Sequence, residues 1–234
     1  MRSLGAAVAG MAGRGGVTDH RPPRSVGSLL GALRRRLRLG RAPLLDVPAG
    51  LWAAKEIATL IRAGVIVRPP DGLFHPDRAI CRGDLAVWLA RGLAGSDSAL
   101  PTPSGTPTFI DVPVDDARYR SIEYAFARGV ISGYADGAYR PQRPLNRGSA
   151  AVLIARALAG DNDIATHQCR GPLFPDLTQD SDDPYRECYR YVAFLAARGL
   201  VQGYPDGLYH PGYVCSRDQA AVMLSRALNQ LRRR

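Results

Sequence analysis

Residues 132–158 read SGYADGAYRPQRPLNRGSAAVLIARAL. A turn rich in Gly and Asp runs through Pro141 and Pro144 into an apolar segment ending at Leu158. Proline rules out helix through the connector. Asn146 is a good N-cap, so a helix starts behind it. Arg147 then falls in the first helical turn, beside backbone N–H groups that lack partners and the positive end of the helix dipole. An Arg there is either helix punctuation or a grip on an anion, and the choice turns on whether the pattern recurs.

It recurs twice. Three units, 44–93, 109–158 and 174–228, align. Asp46, Asp111 and Asp176 open them, and Gly64, Gly129 and Gly199 follow 18, 18 and 23 residues later. From Asp71, Asp136 and Asp206 to Arg82, Arg147 and Arg217 the gap is 11 residues each time. Fixed offsets of this kind mark tandem structural repeats. In the second unit Ile122, Ala125, Phe126 and Val130 recur at helical spacing, and Gly129 is a usual helix stop. The turns GYADG and GYPDG use Gly for positive φ. Each unit therefore reads as helix, turn, helix, and the fold as mainly α. One hairpin of about 50 residues buries too little to stand alone, so the three share a core. The links AGSDSALPTPSGTP and AGDNDIATHQCRGP read as loops.

Charge narrows the function classes. The formal charge is +10, but residues 1–43 hold nine Arg against one Asp, and the chain ends in three Arg. The part between is close to neutral, which argues against a nucleic-acid groove there. No apolar run approaches the ~20 residues of a membrane span. The stretch 1–43 is basic and reads as a disordered tail or an atypical leader. Its apolar run is a weak export signal, and a helix lying on an anionic surface is an alternative.

Four cysteines show no CxxC pair, so spacing gives no zinc site. An even count permits disulfides in an oxidising compartment and equally fits free thiols. Cys169 and Cys188 bracket the start of the third unit, and a bridge there would close a loop worth roughly 3 kcal/mol in the chain-entropy model. His75 and His210 share a repeat slot with Arg140, which reads as a surface cation and not a metal ligand. The Asp-Gly turns are accounted for by turn chemistry. No catalytic arrangement recurs, so the expectation is a non-enzyme that needs no cofactor.

The three units resemble S-layer homology domains. The likeness lies in LLDVPAGLWA and FIDVP at the openings, in GYADGAYRP and GYPDGLYHP at the turns, and in CRGD, NRGS and SRDQ at the second helix starts. It implies a pseudo-threefold, spindle-like helical bundle whose grooves bind cell-wall polysaccharide, often one carrying pyruvate ketals. The module would then anchor a protein non-covalently in the cell envelope, extracellular or periplasmic, with a peptidoglycan-linked acidic glycan as partner. The resemblance makes Arg82, Arg147 and Arg217 the residues facing the acidic sugar. A guanidinium fork suits a ketal carboxylate. The turn glycines Gly133 and Gly203 join that set, as does Trp52, either as a sugar platform or as a core aromatic. The pattern also departs from the family: unit one has Arg68-Pro69 in place of the turn's Gly-Tyr, and no unit keeps the motif Glu. The alternative expectation is a scaffold of the same fold that has lost glycan binding.

Overall fold

A computed structural model describes residues 44–103, 105–166, 174–180 and 182–232; the basic segment 1–43 lies outside them. The helices are α1 (Ala54–Arg62), α2 (Arg82–Ala94), α3 (Tyr119–Ala127), α4 (Arg147–Leu158), a short α5 (Asp161–Ala165), α6 (Arg186–Ala196) and α7 (Arg217–Leu231). Among the described residues no helix is long and apolar enough to cross a membrane.

The first helix of each unit is amphipathic. It buries Ile57 and Leu60 in α1, Ile122 and Ala125 in α3, and Val192 and Leu195 in α6. Each ends at a glycine in the left-handed region: Gly64 at φ 72, Gly129 at 68 and Gly199 at 66. The next N–H returns to a carbonyl of the last turn, as from Val130 to Ala125 at 3.0 Å, which satisfies an otherwise unpaired acceptor. Phe126, expected on the apolar face, is 40% exposed and lies edge-on to Phe109.

The second helices are built differently. In α2, α4 and α7 small and branched apolar residues are buried nearly all round, such as Ala150, Ala151, Leu153, Ile154 and Ala155 in α4. Helices of that kind belong at the centre. There α2, α4 and α7 meet one another.

The helix order in each unit is the expected one, but the two helices of a unit do not pair with each other. Instead α2 packs on α3, α4 on α6, and α7 on α1. Each second helix takes the first helix of the next unit, and the third unit closes back on the first. The connectors close the same circle. Ile80 N–H donates to Cys215 O, Cys215 N–H to Leu145 O, and Leu145 N–H to Ile80 O, all at 2.9 Å. A second ring runs from Arg82 to Arg143 O, Arg147 to Tyr213 O and Arg217 to Arg78 O, again at 2.9 Å. This is the pseudo-threefold bundle.

The links are less loop-like than their composition suggests. The first contains a single 3-10 turn, Asp97–Ala99, where Ser96 accepts from Ala99 N–H. The second contains α5, fixed by Ile164, which is buried against the core.

Candidate functional site

The opening Asp of each unit builds the turn that the Arg reaches. Asp111 accepts from Tyr139 N–H and Arg140 N–H, both at 2.7 Å. Asp46 does the same for Phe74 and His75, and Asp176 for Tyr209 and His210. The second residue of each pair is left-handed: His75 at φ 57, Arg140 at 58 and His210 at 55. What the slot shares is therefore a backbone conformation, unusual outside Gly and held by two N–H bonds to a carboxylate. Burial works against charge on Asp46, yet the N–H bonds from Phe74 and His75 hold its carboxyl below the ordinary range. The turn Asp of each unit makes an Asx turn, as Asp136 does by accepting from Ala138 N–H at 3.1 Å.

The turn glycines divide into two kinds. Gly137 and Gly207, at φ 80 and 81, supply the positive φ. Gly133 and Gly203 are required for space instead. A Cβ on Gly133 would stand 2.4 Å from Phe109, and one on Gly203 2.7 Å from Phe174. Unit one has Arg68 in this slot and, opposite it, the smaller Leu44 in place of Phe109 or Phe174.

Arg82, Arg147 and Arg217 each reach across to the turn of the following unit. Arg147 donates from Nε to Tyr209 O at 3.0 Å and from Nη2 to Gln202 O at 3.1 Å. Its guanidinium lies 4.6 Å from the Tyr209 ring centre and 4.7 Å from that of Tyr204. Tyr209 OH donates back to Arg147 O at 3.3 Å. Arg82 repeats the arrangement on Tyr139 O and Ser132 O, between the rings of Tyr134 and Tyr139. Arg217 holds Phe74 O at 2.9 Å and, where Pro69 replaces the turn tyrosine, pairs with Asp84 at 3.4 Å. All three are clamps between units. Among the described residues nothing bonds Nη1 of Arg82 or Arg147, and neither atom is a sealed, unsatisfied one.

Cys81 caps nothing, whereas Asn146 accepts from Ser149 N–H at 2.7 Å and Ser216 forms a capping box with Gln219. Trp52 is 58% exposed, so it stands outside the core. Its indole N–H donates to the buried Asp218 at 2.8 Å, which fixes the ring at the seam of the third and first units. Cys188 and Cys215 are free thiols, and burial pushes both up to about 12. Cys169, the expected partner of Cys188, lies outside the described residues.

A cleft of 1220 Å³ opens between the second and third units. Arg82 and Ser132 line it from α2 and the second turn, Arg156 from the last turn of α4, and Arg186 and Arg190 from α6. Glu187 is the one carboxylate among its described lining residues. The cleft thus favours anions and exceeds the ~300–1,000 Å³ usual for small ligands. Sequence reasoning found Arg82 and missed Arg156 and Arg190, which belong to no motif.

Residues 43–86, 108–151 and 183–221 match the S-layer homology domain. Over 167 residues, 69% of this chain, the sequence is 28% identical to Cell surface glycoprotein 1 of Acetivibrio thermocellus, covering 7% of that protein. It is 26% identical over 161 residues to the Cellulosome-anchoring protein of the same organism, covering 69% of this chain and 34% of that one. It is 23% identical over 192 residues to an endoglucanase of a Bacillus species, covering 80% of this chain and 19% of the enzyme. The chain spans about a third or less of these relatives' lengths. With the matches falling on the three units that close the bundle, and together covering more than half of the sequence, the chain belongs to the S-layer homology domain family.

Proposed function

We propose that this chain anchors a protein non-covalently to the bacterial cell wall, by taking an acidic wall polysaccharide into the clefts between its units. The observation that carries the reading is the cleft of 1220 Å³ lined by four Arg and one Glu. Sugar acids such as a pyruvate ketal present a carboxylate, which guanidinium groups bind with charge-assisted hydrogen bonds. Arg82 serves twice: Nε and Nη2 hold the neighbouring turn, and Nη1 is left to meet the ligand in the cleft it lines, whereas Arg147 is 6% exposed and lies outside that lining. Trp52, held edge-on by Asp218, offers a face on which a sugar ring stacks at the third seam. The name of the cellulosome-anchoring relative fits this role. The match to the endoglucanase covers only 19% of that enzyme, as suits a binding module rather than a catalytic one. The compartment that follows is the cell envelope.

A second reading has its own support. The clamp geometry accounts for the recurring Arg without any ligand, so a scaffold of this fold that binds no glycan would keep all three. Cosedimentation separates the two. The chain should pellet with intact sacculi of the source bacterium and remain in solution with sacculi stripped of their attached glycan by hydrofluoric acid. Equal behaviour with both preparations would leave the scaffold reading standing.

A further inference from the structure

We propose that the cleft holds a second, separately built anion subsite, in which Arg156 and Arg190, gathered on Tyr191, take a further negative group of the same glycan strand. The proposal rests on the anchoring reading and adds to it. Tyr191 OH accepts from Arg156 Nη2 at 3.1 Å and from Arg190 Nη2 at 2.7 Å. It donates to Asp161 Oδ1 at 2.8 Å, and Arg156 Nε reaches the same oxygen at 3.0 Å. The two guanidinium groups lie 5.3 and 4.7 Å from the Tyr191 ring centre. Two cations thus converge on one phenol, and among the described residues the carboxylate paired there is Asp161, on Arg156.

Three features favour a ligand here over a purely structural network. The first is excess positive charge, which a bound anion would relieve. The second is free donor capacity: among the described residues nothing bonds Nη1 of either Arg, and Arg190 is exposed. The third is position, because Arg156, Arg190 and Tyr191 all line the cleft that Arg82 enters from another element. The lining follows α4 from Ser149 to Arg156, about 10 Å of helix. One strand passing along it would meet charge more than once.

The arrangement is particular to this seam. Counting back from Gly199, Gly129 and Gly64, the slot of Tyr191 is Ser121 in the second unit and Glu56 in the first. Neither can gather two guanidinium groups on a phenol, and Glu56 would repel the anion. The subsite therefore sets the seam between the second and third units apart from the other two seams.

The test uses the whole chain and sacculi of the source bacterium, with retention measured over a range of NaCl concentrations. Arg190→Gln alone, at an exposed position, and Arg156→Gln with Arg190→Gln are compared with the parent. A pair of Arg→Lys substitutions keeps the charge. Thermal unfolding checks that each variant is folded. The double Gln variant should bind about ten- to a hundredfold more weakly, with a shallower salt dependence, and the Lys pair should recover part of the loss. Arg190→Gln should show the same trend on a smaller scale. Retention and salt dependence equal to the parent's in the Gln variants would overturn the subsite and leave the anchoring reading intact. Failure of the parent itself to be retained would overturn both.

Discussion

Arg147 holds the third unit's turn with two of its nitrogens, and a substitution that keeps its charge tests that hold. Its Nε and Nη2 sit on carbonyls 62 and 55 residues further along the chain. A lysine keeps the charge but lacks the planar fork, so it holds one of these carbonyls at a time. Arg147→Lys should therefore destabilise the fold by about 1–3 kcal/mol, read as a shift in the urea midpoint at unchanged slope. An unshifted midpoint would show that the clamp contributes nothing. The recurrence of this Arg was legible in the sequence; its partners were not. The motif is local, and the carbonyls it needs belong to the next unit, where nothing in the order of residues marks a carbonyl as an acceptor. The same holds for Gly133: the sequence suggested a turn glycine, and the reason it must be glycine is Phe109, 24 residues earlier.

Between helices, the seams are matched by size. A Cβ on Gly148 of α4 would come within 2.9 Å of Cys188 Sγ and 3.3 Å of Pro211, and one on Gly83 of α2 within 2.9 Å of Pro141 and 3.1 Å of Arg118. At the third seam the position equivalent to Gly83 and Gly148 is Asp218, and the one equivalent to Arg118 and Cys188 is Ala53. A larger residue at the start of the first helix thus goes with Gly in the second, and a small one with a side chain there. Gly148→Ala should destabilise by about 1–3 kcal/mol. Adding Cys188→Ala should recover part of that loss, a coupling measured by the double-mutant cycle. Strict additivity of the two changes would contradict the size matching. At this scale the sequence told much. Turn glycines, proline connectors and the Asn146 cap placed the main helices. It did not show α5, since among the described residues of that polar link Ile164 is the one that is buried. Nor did it show that helices pair across units, because an apolar stripe states which face is buried and not which neighbour covers it.

The whole bundle is a closed circle, which sets it apart from an open stack of repeats. An open stack loses stability by increments as units are removed. Here removal of the third unit strips α1 of α7 and α4 of α6, and cuts two of the three backbone links at Ile80, Leu145 and Cys215. A fragment ending at residue 166 should therefore lack a cooperative thermal transition by far-UV circular dichroism. The intact chain should melt in a single step, with Trp fluorescence and ellipticity coinciding. A two-unit fragment that melts cooperatively near the temperature of the parent would contradict closure. The threefold character itself was foreseen from the count of repeats and the family likeness, while the direction of pairing became evident only in three dimensions.

Closure also constrains how such a gene can grow. In an open array, unequal recombination between repeats adds or removes one copy at a time, and each product has the same neighbours as before. In this ring every face is already taken. A duplicated fourth copy would bring a first helix with no central helix to receive it, and a central helix with no free partner. The viable steps in copy number are then whole sets of three. Selection would see a module either complete or broken, with no graded series between.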